Sequence, residues 1–320
     1  MWRYIVRRLM AGGASLFGIT IVVFILLRIV PGDMALAMLS LRVGEDRVVP
    51  QDQLEALRER LGLNRPLVVQ YGDWLWDMVR GDLGYAPVFN RPVASEFTRR
   101  FGVTLQLATL SVLITAAVAP LLGAAAAVMR GSVADNAIRL IAVAGLALPN
   151  FLFGTLVLYL LVVFFNWFPP MGYPKLWEQP IQAISQIFWP ALSLSFFSIA
   201  VITRMVRNTM LEVLREDYIR TAWAKGLGAR TVYVTHALRN TVGPVITLFG
   251  LMIIAQLGGS VIIENIFNIQ GLGAGLLFAL TNRDYIFVQF VVVFFGVVVI
   301  VVNLLTDLAY ALADPRIRLS

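Results

Sequence analysis

Apolar and charged positions separate along this chain into long blocks. Nineteen residues without a charge lie between Arg8 and Arg28, and twenty-nine run from Phe101 to Met129. Arg139 and Lys175 bracket a third window, in which Asn166 and Pro169-Pro170 are expected to end a helix near Phe165. Twenty-five uncharged residues separate Glu178 from Arg204, twenty-four separate Arg239 from Glu264, and twenty-two separate Asp284 from Asp307. At 1.5 Å per residue, about 20 residues of helix cross a hydrocarbon layer of roughly 30 Å. Lipid offers the backbone no hydrogen bonds, so each window must satisfy its own N–H and C=O groups, as a helix does. The pattern predicts an all-α polytopic membrane protein with six transmembrane helices, over 9–30, 101–129, 139–165, 186–206, 241–263 and 285–311.

The segments between the windows give the orientation. Arginine and lysine crowd 1–8, 130–138, 207–240 and the tail 312–320, whereas the short segments 166–185 and 264–284 hold only Lys175 and Arg283. Positive residues stay on the cytoplasmic side, so both termini are expected there. The first outer segment, 31–100, is too long for that rule, and Arg99-Arg100 is a local exception beside the second span. It reads as two short helices. Leu54, Leu57 and Leu61 form a stripe over 51–61, with Gly62 after it; 66–80 follows, with Val69, Trp74 and Met78 able to share a face and Trp76 and Val79 near its edge. This segment is expected to be a helical cap on the outer membrane face or a docking surface for an external partner. The "ALA" at 35–37 resembles a signal cleavage site, but Pro31-Gly32 and a long apolar run precede it, so the first span is expected to stay uncleaved.

Composition narrows the chemistry. The chain is 59% hydrophobic and 14% charged, and topology accounts for its net charge of +7 without nucleic acid. There are no cysteines, and the two lysines, Lys175 and Lys225, are followed by Leu176 and Gly226, so neither belongs to a nucleotide-binding P-loop. His236 is the single histidine, which excludes a His-x-x-x-His zinc pair, and no Gly-x-Ser-x-Gly elbow is present. Glu264 and Asp307 lie at span ends, away from the mid-membrane positions that proton- or sodium-coupled carriers use. The chain is expected to be no enzyme, to hold no cofactor or metal, and to draw its driving force from elsewhere.

One polar stretch stands out, "EDYIRTAWAKGLGARTVYVTHALRN" at 216–240. It reads as two helices joined by Gly226-Leu227-Gly228. Tyr218, Ala222 and Lys225 can share one face, Gly226 falls where a helix ends with positive φ, and Gly228 can open the next helix. Such a helical pair projecting from two spans is a lever; the other reading is an amphipathic loop on lipid headgroups. In the fifth span, Met252, Gln256 and Ser260 share a face, either lining a substrate pathway or bonding between helices.

"DYIRTAWAKGLG" and "HALRN" resemble the cytoplasmic loop of ABC importer permease subunits of the dipeptide/oligopeptide/nickel branch, the DppB/OppB type. So do "MWRYIVRRL" at the start, "VPGD" at 30–33, "GDLG" at 81–84, "RPV" at 91–93, "ENIFNIQGLG" at 264–273, "RDY" at 283–285 and the terminal "ADPRIR". Arg220 and Thr221 stand where importers at large carry Glu and Ala, and "HALR" replaces their Ile-x-Leu-Pro. The resemblance implies the type I ABC importer fold in a bacterial inner membrane. It implies a second permease subunit, two ATPase subunits holding ATP and Mg, and an external solute-binding protein. Tyr218, Thr221, Ala222, Lys225, Gly226 and Gly228 would dock a coupling helix onto an ATPase, and Glu264, Phe267, Gly271 and Gly273 would mark the outer loop motif. Peptides lead as substrate, with glutathione-like molecules, nickel chelates, glycosides and opines behind. A carrier or channel not driven by ATP is the alternative.

Overall fold

A computed structural model describes residues 2–29, 35, 36, 39, 50–60, 62–170, 172–174 and 178–313. The motif at 30–33, Lys175 and the residues past 313 lie outside the described set. Helices dominate: α1 (Trp2–Ile29), α2 (Gln51–Arg60), α3 (Leu67–Arg80), a hairpin of β1 (Tyr85–Ala86) and β2 (Arg91–Pro92), α4 (Val93–Val128), α5 (Val133–Ala147), α6 (Asn150–Phe165), α7 (Pro180–Val213) and α8 (Asp217–Ala224). A π-helical turn (Thr231–Ala237) and a 3₁₀ turn (Leu238–Thr241) then lead into α9 (Val242–Ile266), α10 (Leu272–Thr281) and α11 (Tyr285–Ala313). Among the described residues, five helical stretches are long and apolar enough to cross a membrane; the pair α5–α6 makes a sixth if counted as one span.

That pair is bent by 111°, where a single helix over 139–165 was expected. Pro149 explains the break. A proline's ring crowds the preceding residue out of helical geometry, and Leu148 is extended at φ −87°, ψ 123°. Asn166, at left-handed φ 50°, ends α6.

The chain forms two compact bodies. The first comprises Val103–Gln270 with the described residues from Val301 onward. Its central helix is α7, packed against α5, α6 and α9. The α7 residues Ile187, Ala191, Leu194, Ile202, Val206 and Met210 are buried at steps of three, four or eight, one continuous stripe of a 3.6-residue helix. Water supplies no hydrophobic drive between helices in lipid, so close packing must hold them, and small residues permit it. A Cβ on Gly123 would stand 2.7 Å from the Thr203 carbonyl oxygen, and one on Gly145 2.8 Å from the Ala200 side chain.

Polar ties supplement this packing. Asp135 is buried at the start of α5, outside the apolar window, and takes Arg207 of α7 through two hydrogen bonds of 2.7 and 2.9 Å. It also accepts from the Gly131 N–H, while its own N–H donates to the Ser132 hydroxyl, a reciprocal cap on α5. Arg207 holds the Asp135 carboxyl down at about 2. The pair therefore contributes fully above the ordinary carboxylate range and is lost only as pH falls through about 2.

The second body comprises Trp2–Gly102 and Gly271–Ile300. Its core gathers Leu27, Ala86, Val93, Leu272, Phe287 and Val291. Glu96, 1% exposed, pairs with both Arg99 and Arg100. Arg100 also donates to the Gly271 carbonyl at 3.2 Å and lies 4.9 Å from the Phe89 ring centre. The local exception to the charge rule is thus, at Arg100, a buried structural cation. Asp284 links the hairpin to α11 by accepting from the Val88 and Phe287 N–H groups, and burial pushes its carboxyl up to about 6.

Two measurements check this packing. Asp135→Ala should lower the melting temperature of the detergent-solubilised protein by roughly 5 °C, by the same amount at pH 8 and pH 5. Gly123→Ala should cost about 1–3 kcal/mol, because backbone stands in the way. Gly258→Ala, with open space around it, should cost nothing measurable in the same thermal assay.

Candidate functional site: the polar helix α8

Helix α8 begins at Glu216, whose extended backbone (ψ 149°) turns the chain out of α7. It ends in a Schellman arrangement: Gly226 at φ +75°, its N–H on the Trp223 carbonyl at 2.9 Å, and the Leu227 N–H on the Ala222 carbonyl at 3.3 Å. Only glycine takes this backbone without cost, and nothing lies within 4 Å of where a Cβ would sit. The Gly228 carbonyl then accepts from the Thr231 and Val232 N–H groups and opens the return segment. The expected second helix is π-helical and then 3₁₀. Thr231, Val232, Val234 and Thr235 are β-branched and crowd an α-helical turn, consistent with the wider one.

Three contacts brace α8 against the return segment. Ile219 and Ala222 are buried with Val232 in a small core that Val213 and Leu214 complete. The Tyr218 hydroxyl accepts from Asn240 Nδ2 at 2.9 Å, and that amide also donates to the His236 carbonyl. Trp223 and Tyr233 meet edge to face at 5.9 Å. The return segment is itself anchored, since Ala237 is buried with Met210 of α7 and Ala127 of α4. The Arg220–Asp217 pair is exposed on both sides and adds little.

Of the predicted docking residues, Tyr218, Thr221, Lys225, Gly226 and Gly228 are exposed on one lobe. Ala222 is not; it faces inward, 6% exposed, because its small side chain lets Val232 close onto the helix. The inward face is centred on Ile219 and Ala222, so Ala222 does not share the exposed face of Tyr218 and Lys225. Ile219 carried a signal, an apolar residue three positions before Ala222. Asn240 and Tyr233 carried none, because only the return of the chain brings them to α8.

The other predicted residues lie elsewhere. Gln256 is buried and donates to Thr115 of α4 at 3.0 Å, and Ser260 is fully buried. Met252 is half-buried beside Ala119, Ile199 and Ile202. In the outer motif, Glu264 is buried and accepts from Thr104 at 2.7 Å, and Phe267, also buried, accepts at its carbonyl from the Tyr173 hydroxyl at 3.1 Å. Gly271, in the other body, caps α10 from an extended conformation, and Gly273 is buried in its first turn. No cluster of three or more metal-ligating side chains exists among the described residues.

The family model described as "Binding-protein-dependent transport system inner membrane component" matches residues 119–319, and its N-terminal companion matches residues 1–108. The chain belongs to this family. These permeases include the di/tripeptide transport system permease protein DppB of Pseudomonas aeruginosa, 39% identical over 99% of both chains. They also include the dipeptide transport system permease protein DppB of Escherichia coli, 37% identical over 99% of both chains. Among solved structures, an inward-facing form of the MetNI methionine ABC transporter superposes with a TM-score of 0.54 at 16% identity, covering 70% of this chain and 98% of that one. That likeness places the fold among ABC transporter membrane subunits. The permease is a multi-pass inner-membrane protein, as the apolar helices require.

Ile219→Ala should loosen the brace by about 2–4 kcal/mol. Amide exchange over 217–224 should quicken accordingly, while the middle of α7 keeps its protection.

Proposed function

We propose that this permease forms half of a translocation path for peptides or related small solutes, driven by ATP that separate subunits hydrolyse. The observation that carries the reading is α8, a short helix exposed on one side and tied on the other to the end of α7 and to the segment that leads into α9. A loop resting on lipid headgroups needs no such bracing; a part that receives force does. In the proposed cycle α8 seats in an ATPase subunit through Thr221, Lys225 and the Gly226–Gly228 turn. Closure of two ATPases, which hold ATP and Mg, moves α8, and its core with Val232 and the Tyr218–Asn240 bond carry the displacement into α7 and α9. A second permease completes the path, and an external solute-binding protein delivers the solute. The names of the full-length relatives support the peptide class, and the arginine-rich segments support cytoplasmic termini.

The test is reconstitution of the whole importer in proteoliposomes, with labelled di- and tripeptides offered through the binding protein. Uptake should require ATP on the ATPase side. Gly226→Val forces a β-branched residue into left-handed backbone at a local cost of about 1–2 kcal/mol. It should lower transport-coupled ATPase activity severalfold with normal membrane insertion, and Gly226→Asn, better tolerated at positive φ, should retain most of it. Unchanged coupling in Gly226→Val, or uptake driven by an ion gradient alone, would overturn the assignment.

A further inference from the structure

Helix α3 carries apolar side chains on two sides. Tyr71 and Trp74 pack on α1, as the apolar stripe of an amphipathic helix does. Gln70, Asp73 and Asp77 border a cavity of about 360 Å³ that Arg28 of α1 also lines, Gln70 buried and the two aspartates exposed. Gln70 donates to the Leu63 and Arg65 carbonyls. The opposite side exposes Val68 (81%), Val79 (73%) and Trp76 (56%), with Val69 beside them. These residues fall on one side of α3 at helical spacing.

The contacts with α1 give the depth. Tyr71 meets the Thr20 hydroxyl at 2.9 Å, and its ring packs on Phe17 and Phe24 at 6.4 and 5.4 Å. Trp74 packs on Phe24 at 5.9 Å, and Asp77 and Met78 reach the cavity that Arg28 borders. So α3 climbs alongside α1, from the level of Phe17 and Thr20 toward Arg28. Arg28 ends the charge-free window, and Thr20 lies eight residues inside it, about 12 Å along a helix axis. Half of a hydrocarbon core is about 15 Å. The first turns of α3 therefore lie at acyl-chain depth, level with exposed apolar residues of α1 such as Phe17 and Val22. At the upper end, Arg80 covers the exposed Trp76 ring at 4.4 Å, an aromatic and a long cation of the kind that settle at a membrane surface.

We infer that α3 is embedded in the bilayer leaflet at the Ile29 end of α1, its apolar face covered by lipid acyl chains and its polar face turned to the internal cavity. The 31–100 segment is then partly a membrane element, and its anchor extends the lipid-facing surface of α1.

The absence of native cysteine allows single labels in this chain. The complete importer is placed in phosphatidylcholine nanodiscs with a nitroxide at Val68→Cys, at Val79→Cys, or at Glu55→Cys as a water-exposed reference. Collision with oxygen and with a water-soluble nickel chelate is then measured. Embedding requires oxygen accessibility severalfold above nickel accessibility at 68 and 79, and the reverse at 55. Nickel accessibility at 68 and 79 equal to that at 55 would make α3 a water-exposed cap. Protection from both reagents would mean that protein, a second permease or another copy, covers the face. Either result overturns the inference.

Discussion

A backbone in hydrocarbon can bond only to itself, and the rest of this molecule depends on that constraint. It makes nearly every element a helix and limits irregular backbone to the ends of spans. It also governs how the helices meet. The energy of association comes from contact, so Gly123 and Gly145 sit where a methyl group would collide with α7, and α7 buries a stripe along most of its length. The break at Leu148-Pro149 is tolerated where the following helix packs on both α7 and α9.

The same scarcity of partners explains why several buried polar groups occur as matched sets. Asp135 with Arg207, Glu96 with Arg100 and Glu264 with Thr104 each join segments far apart in sequence or lock a helix start. A charge buried without its partner would cost several kcal/mol, so each set also selects one arrangement of the helices it touches. Gln256 with Thr115 does similar work at mid-membrane without a charge.

Beyond the ends of α7 and α9, water returns and the constraint relaxes, so charged residues and a short helix become possible. Eight residues of helix are too few to persist alone. Helix α8 survives because Ile219 and Ala222 close a core with Val232 and because glycine ends it cleanly. Stability of the site thus has one source, the contacts between α8 and the segment returning to α9.

The sequence by itself determined what depends on composition and local geometry. Long uncharged windows dictate spans, because lipid penalises any alternative. Gly226 dictates the end of α8, because the required φ disfavours side chains. The ordered motifs from "GDLG" to "RDY" dictate the family. What depends on the meeting of distant segments was decided by tertiary structure alone. The burial of Ala222 is set by Val232, ten positions away on the returning chain. Arg100 violates the charge rule for a reason visible only when Glu96 and the Gly271 carbonyl surround it. The placement of α3 followed the same logic. Its residues alternate as in any amphipathic helix, and only packing against α1 reveals which face meets protein and which meets lipid.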